Sequence, residues 1–218
     1  MAHLFDTTPR DHRLPRGAGT FAMWWFLSTL GMLFAASLLG YIIIRLQRAW
    51  PNNVDAVEQV APIPIGSLRG EFPSVLWLST AIVLAASVTI QLALRAVERE
   101  QQNKLRRWTL ITLALGVLFC VIQLPAMASL IREHLARMSE AATAAKLGNA
   151  LLGLAFVLIL LHALHVLGGI VHLLNVAHGA KRGLYDHESH GPVKHAAMYW
   201  HFLDLVWMLM FATFYIAG

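Results

Sequence analysis

Four histidines, His162, His165, His172 and His178, interrupt the otherwise apolar run "HALHVLGGIVHLLNVAHG". Imidazole can ligate metal or haem, carry a proton or simply hydrogen-bond. At about 100° per residue on a helix, His165 and His172 nearly eclipse and His162 lies roughly 60° from His165, so these three share one stripe. Along the axis His162 and His165 are ~4.5 Å apart and His172 is about 10 Å further on, while His178 falls at the solvated end. A second group stands out in "YWHFLDLVWMLMFATFYIAG", where Asp204 is the single carboxylate of an apolar stretch. An ionisable group in such surroundings is costly without a partner and marks a candidate site.

Three chemistries compete for these side chains. A metal site needs three or four convergent donors. His162 and His165 offer two, and no Cys, Asp or Glu sits at matching depth in the other apolar stretches. A b-type haem would take an axial pair, either His172 with His201 or His162 with His165, which would make the chain a membrane electron carrier. Plain packing, with the histidines hydrogen-bonding neighbouring helices, asks for nothing that the sequence lacks. Asp204 lies about 9 Å and His172 about 8 Å from the same side of the membrane, and His201 is one turn from Asp204 on its own helix. The expected contact is Asp204 with His172 or with His201.

The elements that must position these residues are membrane spans. Of 218 residues 57% are hydrophobic and 13% charged, against roughly 25% charged in an ordinary soluble domain. Five stretches, near 21–44, 72–94, 108–131, 147–177 and 196–218, reach the ~20 residues needed to cross the hydrocarbon. The expected fold is therefore all-α and integral to the membrane: a cytoplasmic arm over 1–20, then a five-helix transmembrane domain over 21–218. The arm is polar and rich in Pro and Gly, and reads as disordered rather than as a cleaved signal peptide. Cys120 is the sole cysteine and reads as a small packing residue. The net charge of +5 reports sidedness, not nucleic-acid binding. Eleven Lys and Arg fall on the side of the N-terminus and six on the other, which predicts a cytoplasmic N-terminus and a periplasmic C-terminus.

Trp24, Trp25, Tyr41 and Arg45 are placed as interfacial anchors of the first span. The connection after it, with Pro51, Pro62, Pro64 and Pro73, is not helical. In the second span Thr80, Ser87 and Gln91 share a face, and in the third Thr112, Gly116, Phe119 and Gln123 do; small and weakly polar stripes are what membrane helices pack with. "EREQQNKLRR" forms a short charged hairpin between those two spans, and Pro125 is placed to kink the third. Tyr199, Trp200 and Trp207 are expected to meet headgroups, a bound lipid or a protein interface.

"HALHVLGG" followed by "YWHFLDLVWMLMFATFY" resembles the two signature segments of subunit III of haem-copper oxidases. "FLSTLGMLF", "LWLSTAIVLAAS" and "LGVLFCVIQ" resemble its earlier helices, so the likeness runs from about Phe21 to the end. The resemblance implies a five-helix bacterial form in the inner membrane. It implies an accessory subunit of a proton-pumping terminal oxidase of the cytochrome c oxidase type, in aerobic respiration. Such a subunit catalyses nothing alone, holds no haem or copper, packs against subunit I, binds phospholipid and supports proton uptake. Haem and copper are expected in the partner subunits I and II. His162, His165, His172, His201 and Asp204 are then internal polar ties. One position departs from the family: Thr29 stands where a buried glutamate is usual, and Leu160-Leu161 replaces the usual Thr-Gly before the histidine pair. The departure keeps a second family reading open, an accessory protein of a nitric oxide reductase or a quinol oxidase.

Overall fold

In a computed structural model, residues 17–48, 73–140 and 146–217 are described. The arm to residue 16 and the proline-rich connection over 49–72 lie outside them. Five helices follow one another: α1 (Ala18–Arg48), α2 (Pro73–Glu98), α3 (Gln102–Glu140), α4 (Lys146–Lys181) and α5 (Gly191–Ala217). Each contains a segment long and apolar enough to cross a membrane, and no strand occurs among the described residues.

The helices outrun the charge-free stretches, because charged side chains at a helix end can reach back to water. The clearest case is "EREQQNKLRR". Most of it is helical, and the reversal between α2 and α3 is confined to Arg99–Gln101. Glu100 there adopts φ of 58°, with Gln101 N–H donating to Ala96 O at 2.9 Å and Glu100 N–H to Val97 O at 3.0 Å. That pair of bonds is the Schellman ending of a helix. α4 ends the same way at Gly183, φ 69°, with Leu184 N–H to Gly179 O at 3.1 Å and Gly183 N–H to Ala180 O at 3.2 Å. The two turns meet on one side of the bundle. Gln102 donates to the Tyr185 carbonyl, Arg106 Nε to the Ala180 carbonyl at 2.8 Å, and His187 pairs with Glu100 at 2.6 Å. α3 continues through Pro125 to Glu140.

α2 packs on α3, α3 on α4 and α4 on α1, while α5 packs against α1, α2 and α4. Since lipid is as apolar as leucine, burial of hydrocarbon gives little drive between these helices, and close packing and hydrogen bonds must hold them. Glycines supply the closeness. A Cβ at Gly116 would stand 2.6 Å from the Trp200 ring, and one at Gly169 would stand 3.1 Å from the Tyr199 ring and 3.2 Å from Leu203. The "GG" of α4 is thus the groove into which α5 lays Tyr199 and Leu203. Cys120 is half-buried and packs against the central cluster around Phe34, Phe119 and Trp207.

Candidate functional site: a polar relay between the second and fifth helices

Ser87 and Gln91, one turn apart on α2, face His201 and Asp204 of α5. The Ser87 hydroxyl lies 2.6 Å from His201 Nδ1, and His201 Nε2 lies 3.1 Å from Gln91 Oε1. The buried Asp204 carboxyl lies on the same side of α5, and its Oδ2 has no partner among the described residues. Three side chains form one line, Ser87 to His201 to Gln91.

The line constrains its own protons. An amide oxygen only accepts, so His201 donates through Nε2–H to Gln91. In a neutral ring Nδ1 is then a lone pair, and Ser87 donates its one hydrogen to it.

His172 takes no part. Asp204 and His172 match in depth but not in direction, because α5 offers α4 its Tyr199 and Leu203 face and turns Asp204 toward α2. His172 lies instead within electrostatic reach of His195 of α5, and its Nε2 is buried without a hydrogen-bond partner among the described residues. The expected Asp204–His172 contact is not made, and both ring nitrogens of His201 go to α2, to Ser87 and Gln91, and not to Asp204.

His162 and His165 belong to a separate place, the α1–α4–α5 seam. His162 is buried, stacks on Trp207 with centroids 5.7 Å apart and meets the edge of Phe34. His165 is half-buried, packs on Phe34 and places Nδ1 2.6 Å from the Leu161 carbonyl. Tyr199 donates to the His165 carbonyl at 3.0 Å. Thr29 is exposed on α1 and bonds the Phe26 carbonyl of its own helix at 2.8 Å, so it offers neither histidine a partner.

Tyr199, Trp200 and Trp207 do not face headgroups or lipid: their exposures are 8%, 2% and 8%. Each fills the space left by a smaller neighbour, Tyr199 over Gly169 and Trp200 over Gly116, while Trp207 donates to Thr80 at 3.3 Å and meets Phe119 edge-on. Tyr41, placed by its sequence position at an interface, is fully buried beside Phe214. Outward rings include Phe21, Trp24, Trp25, Phe26 and Trp77.

The donors do not fit a resident metal or haem. No three His, Cys, Asp or Glu side chains converge among the described residues. Both ring nitrogens of His201 are engaged by Ser87 and Gln91, and His162 and His165 lie against Phe34, Trp207 and the helix backbone.

Comparison with known proteins agrees in length and in type. The sequence profile described as cytochrome c oxidase subunit III matches residues 20–218. This chain belongs to that family. It is a subunit III of a haem-copper oxidase, a component of a multi-subunit complex. A cytochrome bo(3) ubiquinol oxidase subunit 3 from Pseudomonas aeruginosa is 29% identical, over 95% of this chain and 90% of its own length. The cytochrome c oxidase subunit 3 of Thermostichus vulcanus is 26% identical over 88% of this chain and 83% of its own. That of Bacillus sp. (strain PS3) is 25% identical over 100% and 95%.

Proposed function

We propose that this subunit III is an accessory, cofactor-free component of a proton-pumping terminal oxidase in a bacterial inner membrane. It packs against the haem-bearing subunit I of a complex that also contains the copper-bearing subunit II. Its N-terminus is cytoplasmic, as the excess of Lys and Arg on that side indicates. The observation that carries the reading is how the polar side chains of its spans are used. Thr89 bonds Thr112 at 2.9 Å, Trp207 bonds Thr80, Tyr199 bonds the His165 backbone and His201 bonds Ser87 and Gln91. These groups tie helices to one another instead of converging on a ligand. His162 and His165 hold the α1–α4–α5 seam by ring packing on Phe34 and, for His162, Trp207. Phospholipid contacts the outward belts at Trp24, Trp25 and Trp77, where amphipathic rings suit the headgroup level.

The test is purification. A complex pulled out through this chain should contain the haem-bearing and copper-bearing subunits, and the chain separated from it should show no Soret band. A haem band from the isolated chain would overturn the reading. Whether the complex is fed by cytochrome c or by quinol is decided on other subunits; the bo(3)-type relative gives the quinol form a specific claim, which the substrate of the purified complex resolves.

A further inference from the structure

Ser87 stands apart from other hydroxyls of the spans. Thr29, Ser37, Thr89, Thr109 and Thr112 each donate to a carbonyl of their own helix, as hydroxyl side chains inside helices commonly do. Ser87 turns instead to α5, with its oxygen 2.6 Å from His201 Nδ1. The other ring nitrogen, Nε2, is held 3.1 Å from Gln91 Oε1, an acceptor that keeps the ring hydrogen on Nε2. Nδ1 is thereby left as a lone pair aimed at a hydroxyl. A nucleophile, a base within hydrogen-bond reach and a third group that orients the base is the arrangement that activates a serine.

The pair is not sealed inside the bundle. Ser87, Val88, Gln91, Leu92 and Arg95 of α2 and His201 of α5 line a groove of about 310 Å³, and His201 is exposed on its wall. Ser87, Gln91 and Arg95 recur every four residues and share one face of α2, where side chains lean toward the helix N-terminus, so the amide and the guanidinium lean toward the serine. The Gln91 amide nitrogen has no partner among the described residues, and Arg95 is exposed and in no ion pair among them. Both are N–H donors free to steady the negative charge that develops on a carbonyl oxygen under attack by Ser87. His201 precedes Asp204 by three residues, which puts it about 4.5 Å nearer the membrane surface than the ~9 Å of Asp204. That is the boundary between hydrocarbon and headgroups, the level at which membrane lipids carry their ester carbonyls.

We infer that Ser87 is an acyl-acceptor site, which takes one long-chain acyl group from a carboxylic ester of the surrounding lipid. The Ser87 oxygen attacks the ester carbonyl carbon as its hydrogen passes to His201 Nδ1. The tetrahedral intermediate then expels the alcohol, which takes that hydrogen back from Nδ1. One C–O bond forms, one breaks, and nothing is oxidised or reduced. Val88 and Leu92 supply the apolar wall along which the acquired chain lies. Gln91 orients the imidazole without the charge by which a carboxylate would stabilise an imidazolium, so the transfer is slow and ends in a modified chain, not in turnover. The site goes beyond the accessory role and does not depend on which oxidase holds the chain.

A long-chain alkyl fluorophosphonate is the probe, because an activated serine displaces its fluoride and keeps the phosphonyl group. Membranes containing the intact complex are treated with it, and the peptides of this chain are weighed. In the wild-type chain Ser87 should carry either an acyl group acquired in the cell or, where free, the phosphonyl group, while Ser37, bonded to its own helix, should carry neither. His201→Gln should slow labelling of Ser87 by at least about 100-fold, the lower end of what a general base contributes, with recovery of the complex showing that the variant assembles. Ser87→Ala should abolish the adduct. A wild-type Ser87 peptide that carries neither group would overturn the site. Labelling of Ser37 as fast as Ser87, or labelling of Ser87 that His201→Gln does not slow, would overturn it equally. The wild-type measurement needs no substitution, so a loss of stability in a variant cannot obscure it.

Discussion

Ser87 and His201 sit on different helices, with the Ser87 hydroxyl 2.6 Å from His201 Nδ1. With the His201 Nε2–H committed to Gln91, the neutral ring accepts the Ser87 hydrogen at Nδ1.

Ser87 and His201 tie α2 to α5, so Ser87→Ala leaves His201 Nδ1 without its donor and should cost about 0.5–2 kcal/mol of the stability of the detergent-solubilised complex. Thermal unfolding of the variant decides it, and an unchanged midpoint would show that Nδ1 is served by another group.

Tyr199 should matter through its hydroxyl as well as its ring. Tyr199→Phe keeps the packing over Gly169 and removes only the bond to the His165 carbonyl, for an expected loss of about 0.5–2 kcal/mol. Unfolding in mild detergent by a denaturing one would show it, and no change would mean that the carbonyl is served by other groups.

Gly116 is the tightest of the glycines that pack one span against another. Gly116→Ala places a methyl 2.6 Å from Trp200 and should cost about 1–3 kcal/mol by overpacking. Trp200→Leu in the same chain should recover part of that loss, and a double-mutant cycle measures the coupling. Additive losses would show that the helices separate instead of compressing.

Outside the membrane, Tyr185 lies against Gly179 in the α4–α5 connection, and burial raises its pKa above the ordinary 10.0. The protonated phenol is thus favoured in the folded state. Its contribution is complete below pH 10 and is lost as pH rises through the raised value, when a phenolate must form against the helix end. Tyr185→Phe should flatten the alkaline end of the stability profile, while a profile unchanged by the substitution would place the sensitivity elsewhere.

The five spans were legible because hydrocarbon demands about 20 apolar residues whatever the fold. The small and polar stripes of α2 and α3 were legible too, since periodicity alone puts Ser87 with Gln91 and Thr112 with Gly116. What periodicity could not supply was azimuth between helices. Depth brought Asp204 level with His172, but the glycine pair of α4 draws Tyr199 and Leu203 toward it and turns Asp204 away. The same pairing explains Tyr199, Trp200 and Trp207. Their chain position suits an interface, but each has a small or hydrogen-bonding neighbour on another helix that a one-dimensional pattern does not display. The boundary at "EREQQNKLRR" was blurred for another reason: charges end a hydrophobic run without ending a helix, and the true stop is a backbone reversal at Glu100.

The partners of Ser87 and Gln91 come 114 and 110 residues later in the chain. A ribosome feeding this protein into the bilayer delivers α2 long before His201 exists. Until α5 arrives, those two side chains must stay beside the insertion machinery, or beside a chaperone, with their hydrogen bonds borrowed. A chain truncated before α5 therefore displays an unmatched polar stripe to the lipid, a mark by which membrane proteases can tell an unfinished subunit from a finished one.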